Sequence, residues 1–575
     1  MLTLGAIWRL AIPYFRSEDR LRGGLLLASV VAIELAVVGI TVLINKWNNQ
    51  FFNSLQDRNW NVFVYQLGYF CVLAGVFIIL RVYQLYLNQW LQIRWRRWLT
   101  GYYLGRWLNG VNHYRMQLLG DPADNPDQRI ADDVRLFIDR TLRIGLGFLN
   151  SVVTLLSFLL ILWSLSASAP LPIIGQIPGY LVWAALIYSS VGTGFTHLIG
   201  RKLIALLFNQ QRYEADFRFN LVRVRENSEQ IALLGGEPAE TERLLGRFSA
   251  IMSNWMSIMS RQKKLTFFTA SFDQASVVFP YVMVAPAYFA GVVQLGGLMQ
   301  TASAFGSVQQ SLSFFVLTYA DLAEWRAIIE RLSGFERSIE TARRAAASPK
   351  AIEIVPRPQQ KALAIEDLAV RLPAGSPAVA VEDMTIAAGD HVLVTGPSGA
   401  GKSTLFRAIA GIWPFGAGRV VVPAGARLMM LPQRPYFPVA SLADAISYPA
   451  KRGTFDDQAV AEVLTAVGLG GLRDRLTEEA HWNATLSVGE QQRLGIARAI
   501  LHKPDFLFLD EATGALDEPA EAELYRLLRH TLTDTTLISI GHRSTLHAFH
   551  ERSLKLERDG DHYQLRERKL ETAAE

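Results

Sequence analysis

The chain has 575 residues, of which 50% are hydrophobic and 19% charged, with a net charge of +5 at pH 7. That length exceeds one ordinary domain, and the balance points to a membrane protein because the apolar residues cluster, and do so only in the N-terminal part. A single cysteine, Cys71, excludes an intramolecular disulfide framework and a cysteine-built metal site.

The first residues, MLTLGAIWRLAIPYFRSEDR, form an amphipathic basic segment with no small-residue cleavage site. They read as a helical lead-in or as an elbow lying on the membrane. Apolar runs long enough for roughly 30 Å of hydrocarbon follow near 23–44, 62–82, 144–166, 179–199, 267–292 and 296–320. Six spanning helices are therefore expected. The connection near 94–143 is rich in basic residues such as Arg94, Arg96, Arg97, Arg106 and Arg115, and that near 200–266 carries Arg201, Lys202, Lys263 and Lys264. The connections near 167–178 and 293–295 have no Lys or Arg. This asymmetry places both termini and both long connections in the cytoplasm. The long connections are mostly free of Pro and Gly and read as helices extending below the membrane. Basic residues that flank apolar runs suit a lipid bilayer, so no nucleic acid partner is expected.

Residues 1–340 thus read as an all-α transmembrane domain. Residues 341–361, TARRAAASPKAIEIVPRPQQK, read as a linker. From 362 to 575, strand-like runs such as DHVLVTG and DFLFLD alternate with helical stretches, as in a soluble α/β domain.

GPSGAGKST, comprising Gly396, Pro397, Ser398, Gly399, Ala400, Gly401, Lys402, Ser403 and Thr404, lies between the strand HVLVT and the helix LFRAIAGI. Its glycines let backbone N–H groups turn toward phosphates, Lys402 reaches the β- and γ-phosphates, and Ser403 offers a hydroxyl to Mg2+. FLFLDEA ends a strand in two carboxylates: Asp510 is placed to hold Mg2+ and Glu511 to polarise an attacking water. A P-loop ATPase domain using ATP and Mg2+ is expected. Between these motifs lie Gln433 in MLPQRPYFP and the stretch LSVGEQQR; Asp517 in TGALD and His542 in SIGHRS follow.

This ordered set resembles the ATP-binding cassette (ABC) family, in which the signature helix of one subunit closes on ATP held by the other. The resemblance assigns Ser487 and Gly489 to the γ-phosphate in trans, Gln433 to Mg2+ and interdomain coupling, Asp517 to dimer communication and His542 to the γ-phosphate. LSVGEQQR departs from the family's LSGGQ at Val488 and Glu490, but close relatives tolerate both changes, so the site is expected to work. The family also places an aromatic residue upstream of the phosphate loop to stack on adenine. Between Thr341 and His391 there is no Phe, Trp or Tyr, and Arg371 or Leu372 occupies about that place. Weaker base discrimination is expected.

Six spans and one cassette resemble an exporter-type ABC half-transporter that works as a homodimer. NPDQRIADD, EADFRFNLVRVRENSEQIALLGGE and PYVMVAPAYFAGVVQLGGLMQTASAFG are similar to SbmA/BacA-like bacterial transporters and their peroxisomal ABCD relatives. That likeness implies a bacterial inner membrane location and uptake of hydrophilic compounds or peptides, including cobalamin-like or bleomycin-like cargo. An acyl-CoA or lipid flippase and a proton-coupled transporter with a regulatory cassette are the alternatives. Among intramembrane ionisable residues, Glu34 reads either as a cavity or proton-coupling group or as a packing partner of a residue such as Arg81. Asp273, near the start of the fifth run, reads as a structural pair on the cytoplasmic side in preference to a substrate ligand, and His197 as a satisfied helix-end residue.

Overall fold

The computed structural model describes residues 4–120, 125–167, 178–348, 351–358 and 360–568. The connection expected near 167–178 falls almost wholly outside them. Two compact units emerge: Met1–Leu104 with Asn125–Phe335, and Gly105–Asp124 with Glu336–Glu575.

The helices are α1 (Leu4–Phe15), α2 (Arg20–Gln56), α3 (Trp60–Leu108), α4 (Asn112–Leu118), α5 (Pro126–Gln128), α6 (Val134–Ala167), α7 (Tyr180–Glu226), α8 (Ser228–Leu234), α9 (Glu237–Phe289), α10 (Leu295–Leu317) and α11 (Tyr319–Ala346). Each expected apolar run lies on a long helix: α2, α3, α6, α7, α9 or α10. Among the described residues, four helices are long and apolar enough to cross a membrane, those of the first four runs. The other two runs are diluted by Asp273, Gln274 and Ser276 on α9 and by Gln300, Thr301, Gln309 and Gln310 on α10. Helices α3, α7 and α9 have 49, 47 and 53 residues. At 1.5 Å per residue each is roughly 70–80 Å long, more than twice the hydrocarbon thickness. His197 therefore lies within α7, which runs on to Glu226, and not at a helix end.

The initial segment is a helix, α1, followed by a bend. Tyr14 is fully buried and stacks on Trp95 with ring centres 5.6 Å apart. Asp19 at the bend pairs with Arg94 of α3.

Amides on α2 hold α10. Asn45, Asn49 and Asn53 recur every four residues and so share one helix face. Asn45 Nδ2 donates to the Gln300 carbonyl at 3.1 Å, and Asn49 Nδ2 donates to Gln300 Oε1 at 2.8 Å. The first turn of α10 donates back, from Leu295 N to Gln56 Oε1 (2.7 Å) and from Gly296 N to Asn53 Oδ1 (2.8 Å). A Cβ on Gly296 would lie 1.9 Å from the Asn49 carbonyl oxygen, so only glycine permits this approach. Polar pairing of this kind satisfies groups that hydrocarbon cannot. Phe158, Leu162, Ala185, Val284, Phe305 and Val308 form the apolar core where α6, α7, α9 and α10 meet. At the start of α6, buried Asp133 accepts from Arg129 (2.9 Å) and from Arg331 (2.9 Å) of α11.

The second unit contains the strands β1 (Glu353–Arg357), β2 (Leu363–Arg371), β3 (Pro377–Val381), β4 (Met384–Ile386) and β5 (His391–Thr395), then α12 (Lys402–Ile409), β6 (Gly416–Pro423) and β7 (Leu428–Leu431). A smaller pair, β8 (Ala440–Ser441) and β9 (Glu479–Ala480), belongs to a helical layer with α13 (Leu442–Ser447), α14 (Asp457–Ala466), α15 (Trp482–Thr485) and α16 (Val488–His502). The chain returns through β10 (Phe506–Asp510), α17 (Glu518–Thr531), β11 (Thr536–Ile540), β12 (Arg552–Asp559) and β13 (His562–Arg568). The large sheet runs β1-β6-β2-β3-β13-β12-β5-β11-β10-β7, with β4 on β2. Strands β12, β5, β11, β10 and β7 are mutually parallel, each with its neighbour. The central ones, β5, β11 and β10, are buried on both faces and are continuous apolar runs such as FLFL and TLISI.

The segment expected as a linker is regular over much of its length. Thr341 to Ala346 finish α11, and Glu353–Arg357 is β1, paired with β6. Ala and Arg favour the helix, and the partner strand, which the local sequence does not show, recruits the second half. The same unit takes in α4, whose Leu118 packs on the sheet core and whose Arg115 donates to the Gly411 carbonyl at 3.2 Å.

Candidate functional site

β5 ends at Thr395, and the chain turns through Gly396 (φ 148°), Gly399 (φ 79°) and Gly401 (φ 89°) into α12. These left-handed values require glycine, and two of the positions are also crowded. A Cβ on Gly396 would meet Leu556 at 2.9 Å, and one on Gly401 would meet Val379 at 2.7 Å. The turn therefore presents bare backbone N–H groups at a helix N-terminus, the geometry that binds phosphate. Lys402 Nζ crosses the loop and donates to the carbonyls of Gly396 (2.9 Å) and Pro397 (3.0 Å). Burial holds this ammonium below the usual lysine range, against the opposing pull of Glu511 and Asp510.

β10 brings two carboxylates to the same place. Ser403 Oγ donates to Asp510 Oδ1 at 2.9 Å, so a hydroxyl and a carboxylate converge on one point. Burial pushes the Asp510 carboxyl up, and the Ser403 hydrogen bond opposes that. Hard oxygen donors beside a phosphate loop fit Mg2+, which takes one or two protein oxygens and completes its shell with phosphate and water. Glu511 follows at φ 50°, a strained value for a non-glycine residue. Its amide donates to the Ile540 carbonyl (3.2 Å) and its carbonyl accepts from Gly514 N (3.0 Å), which fixes the turn. His542, after β11, places Nε2 3.3 Å from Glu511 Oε1.

The phosphate loop, Asp510, Glu511 and His542 thus come together as expected. Ser487, Gly489, Gln433 and Asp517 form a second group. Among the described residues, no hydrogen bond or ion pair joins their side chains to the first. Ser487 and Val488 are exposed at the start of α16. Ser487 caps that helix in a reciprocal box: Glu490 N donates to Ser487 Oγ at 3.4 Å, and Glu490 Oε2 accepts from Ser487 N at 2.9 Å and from its hydroxyl at 2.7 Å. Glu490, one of the two departures from the family spelling, is therefore the partner of the serine itself. Asp517 caps α17 by accepting from Ala520 N at 3.1 Å.

Two residues that the motifs do not name tie this region together. Gln492 is buried; its Nε2 donates to the Gln433 carbonyl (3.1 Å) and its Oε1 accepts from Ala515 N (2.9 Å). It joins the loop after β7 to the loop after β10. Arg543, next to His542, donates to the carbonyls of Leu516 (2.8 Å) and Gly514 (3.4 Å) and to Glu521 (3.3 Å). No local spacing marks either residue, because their partners, backbone atoms and for Arg543 also the Glu521 carboxylate, are brought near only by folding.

Comparison with known proteins accounts for both halves of the chain. The family model for ABC transporter transmembrane region 2 matches residues 10–289, and the ABC transporter model matches residues 381–514. The inner membrane ABC transporter ATP-binding protein YddA of Escherichia coli K12 is 35% identical over 92% of this chain and 93% of its own. The protein is an ABC half-transporter. The half-transporter is also 28% identical to the human lysosomal cobalamin transporter ABCD4, over 81% of this chain and 80% of that one. Its fold matches a bacterial Atm1-family ABC exporter with ATP bound at a TM-score of 0.74 and 18% identity, over 95% of both chains. The half-transporter is accordingly a membrane protein whose cassette binds ATP and couples its hydrolysis to transport.

Proposed function

We propose that two copies of this half-transporter assemble in a bacterial inner membrane and move a hydrophilic compound or peptide inward, with termini and cassettes in the cytoplasm and all six long apolar helices spanning. Lys402 and the loop amides hold the phosphates, while Ser403, Asp510 and Gln433 hold Mg2+. Glu511 orients the attacking water, and His542 steadies both Glu511 and the γ-phosphate. Ser487 and Gly489 of one copy close on the triphosphate of the other, and Asp517 joins the two sites. Exposure of Ser487 and Val488 at the start of α16 supports closure by a second copy. So do Leu233 and Leu234, which lie almost fully exposed at the end of the short helix α8.

The observation that carries the cargo reading is a cavity of about 670 Å³ among α2, α9 and α10. Its wall includes Asn48, Asp273, Ser276, Ser303, Gln309 and Gln310. Asp273, expected as a structural pair, faces this space and accepts one long bond, 3.4 Å, from Gln309 Nε2. Phe52, Val277 and Met299 are also part of the wall, so the amides and hydroxyls around one carboxylate suit a hydrogen-bonding molecule with apolar parts better than a bare acyl chain. Cobalamin, the cargo of the human relative, belongs to that class.

Glu34 favours the proton-coupled alternative. It is buried, accepts from Asn150 Nδ2 and lines a second cavity of about 420 Å³; Arg81 instead donates to Gln84. Reconstitution in proteoliposomes separates the readings. ATP-dependent movement of labelled cyanocobalamin or a short hydrophilic peptide is expected, reduced about tenfold or more by Asp273→Ala. ATPase stimulated only by lipid or acyl-CoA would contradict it, and transport lost in Glu34→Gln with ATPase intact would favour proton coupling.

A further inference from the structure

The stretch upstream of the phosphate loop has no aromatic side chain, and the residues in its place offer no substitute. Arg371 ends β2 with its amide donating to the Phe415 carbonyl (3.0 Å), its carbonyl accepting from Trp413 Nε1 (2.9 Å) and its guanidinium donating to the Gly375 carbonyl (3.4 Å). Leu372 has no π face. A nucleotide held only by its phosphates would leave the base in water.

The other end of the chain reaches the same place. β13 lies beside β3 with Tyr563 directly opposite Val379, the residue that crowds Gly401 of the phosphate loop. On its other side β13 pairs with β12, where Leu565 stands opposite Leu556, the residue that crowds Gly396, and Tyr563 opposite Arg558. Alternate residues of a strand share a face, so Tyr563 projects from the same side of the sheet as Leu565, toward the phosphate loop and about 7 Å further along. The turn before Tyr563 sits at the tip of the β2–β3 hairpin. There the Asp561 carboxyl is held low by hydrogen bonds from His562 and its own backbone, and by the charge of Arg371. Tyr563 itself is half-buried, packed against the sheet core.

We propose that Tyr563 is the aromatic platform on which the nucleotide base stacks, taking the part that an upstream aromatic would otherwise play. The other aromatics near β2 are less suited. Trp413 is buried with its N–H committed to Arg371. Phe415 packs edge-on against Trp413 and leads into β6, which lies across β2 from β3, away from the phosphate loop. Stacking tolerates any base, because every base has a π face. Tyr563 would thus supply affinity without selecting adenine, in keeping with the weak discrimination expected from the sequence.

The inference rests on the cassette being the ATP site, and the full chain in proteoliposomes tests the two separately. Tyr563→Leu is expected to raise KM for ATP and for GTP about fivefold, with kcat little changed, while Tyr563→Trp stays near wild type. Inorganic tripolyphosphate, which has no base, is expected to compete equally well against both proteins in a nucleotide-binding assay. An unchanged KM in Tyr563→Leu would overturn the proposal. So would tripolyphosphate affinity falling in step, which would mean that the ring only packs behind the loop, or a KM rise in Phe415→Leu in place of Tyr563→Leu. Failure of the ATP reading shows differently: ATP binding would survive Lys402→Ala.

Discussion

Glu511→Gln is expected to lower ATP turnover at least a hundredfold while leaving ATP binding intact. The backbone of Glu511, at φ 50°, is held by its amide donating to the Ile540 carbonyl and its carbonyl accepting from Gly514 N, so the turn does not depend on the side chain's charge. Glutamine keeps the shape, and the turn should persist. What disappears is a proton acceptor beside the attacking water, and positioned general bases contribute roughly 10²–10⁴-fold. His542, 3.3 Å away, loses a charged partner at the same time. Phosphate release from the reconstituted protein, read beside nucleotide binding, checks this. Turnover near the wild-type rate would remove Glu511 from the chemistry.

Ser487→Ala is expected to slow turnover about 10- to 100-fold with nucleotide binding preserved. The range follows from the loss of a hydrogen bond to a charged group, worth about 1.5–3 kcal/mol; the lost helix cap, worth about 1 kcal/mol, falls on stability. Glu490→Gln should act in the opposite direction. The glutamine can still accept from Ser487 N and keep the capping box, yet it removes a negative charge from the helix end that faces a triphosphate. A KM for ATP several-fold lower in Glu490→Gln, beside slowed turnover in Ser487→Ala, is the expected pair. Equal KM values before and after Glu490→Gln would mean that the carboxylate only caps the helix.

The phosphate loop and the carboxylate strand were legible in the sequence because their chemistry is local: strand, glycine turn and helix follow one another, and Asp510 meets Ser403 through a parallel sheet that such a motif implies. The capping box is legible too, since Ser487 and Glu490 have the S-x-x-E spacing, even though Val488 and Glu490 depart from the family spelling. Gln492 and Arg543 were not legible, because each bonds to backbone atoms brought near only by folding. The same holds for the amides of α2, whose partners on α10 are about 250 residues away in sequence. The part of the linker that forms β1 shows tertiary context overriding composition, and Tyr563, as the proposed base platform, replaces a missing local residue from the far end of the chain. Polar residues on α9 and α10 blurred the last two apolar runs for a physical reason: those helices carry the wall of the cavity.

The central claim is that two chains share each ATP site. A Cys71→Ser chain carrying Ser398→Cys in the phosphate loop, Val488→Cys at the start of α16 and Glu511→Gln to slow hydrolysis tests it directly by oxidative cross-linking in the membrane. With ATP and Mg2+, the account predicts a covalent dimer that is weak or absent without nucleotide and lost with Lys402→Ala. A chain that stays monomeric on the gel under ATP, with binding of ATP verified, would contradict it.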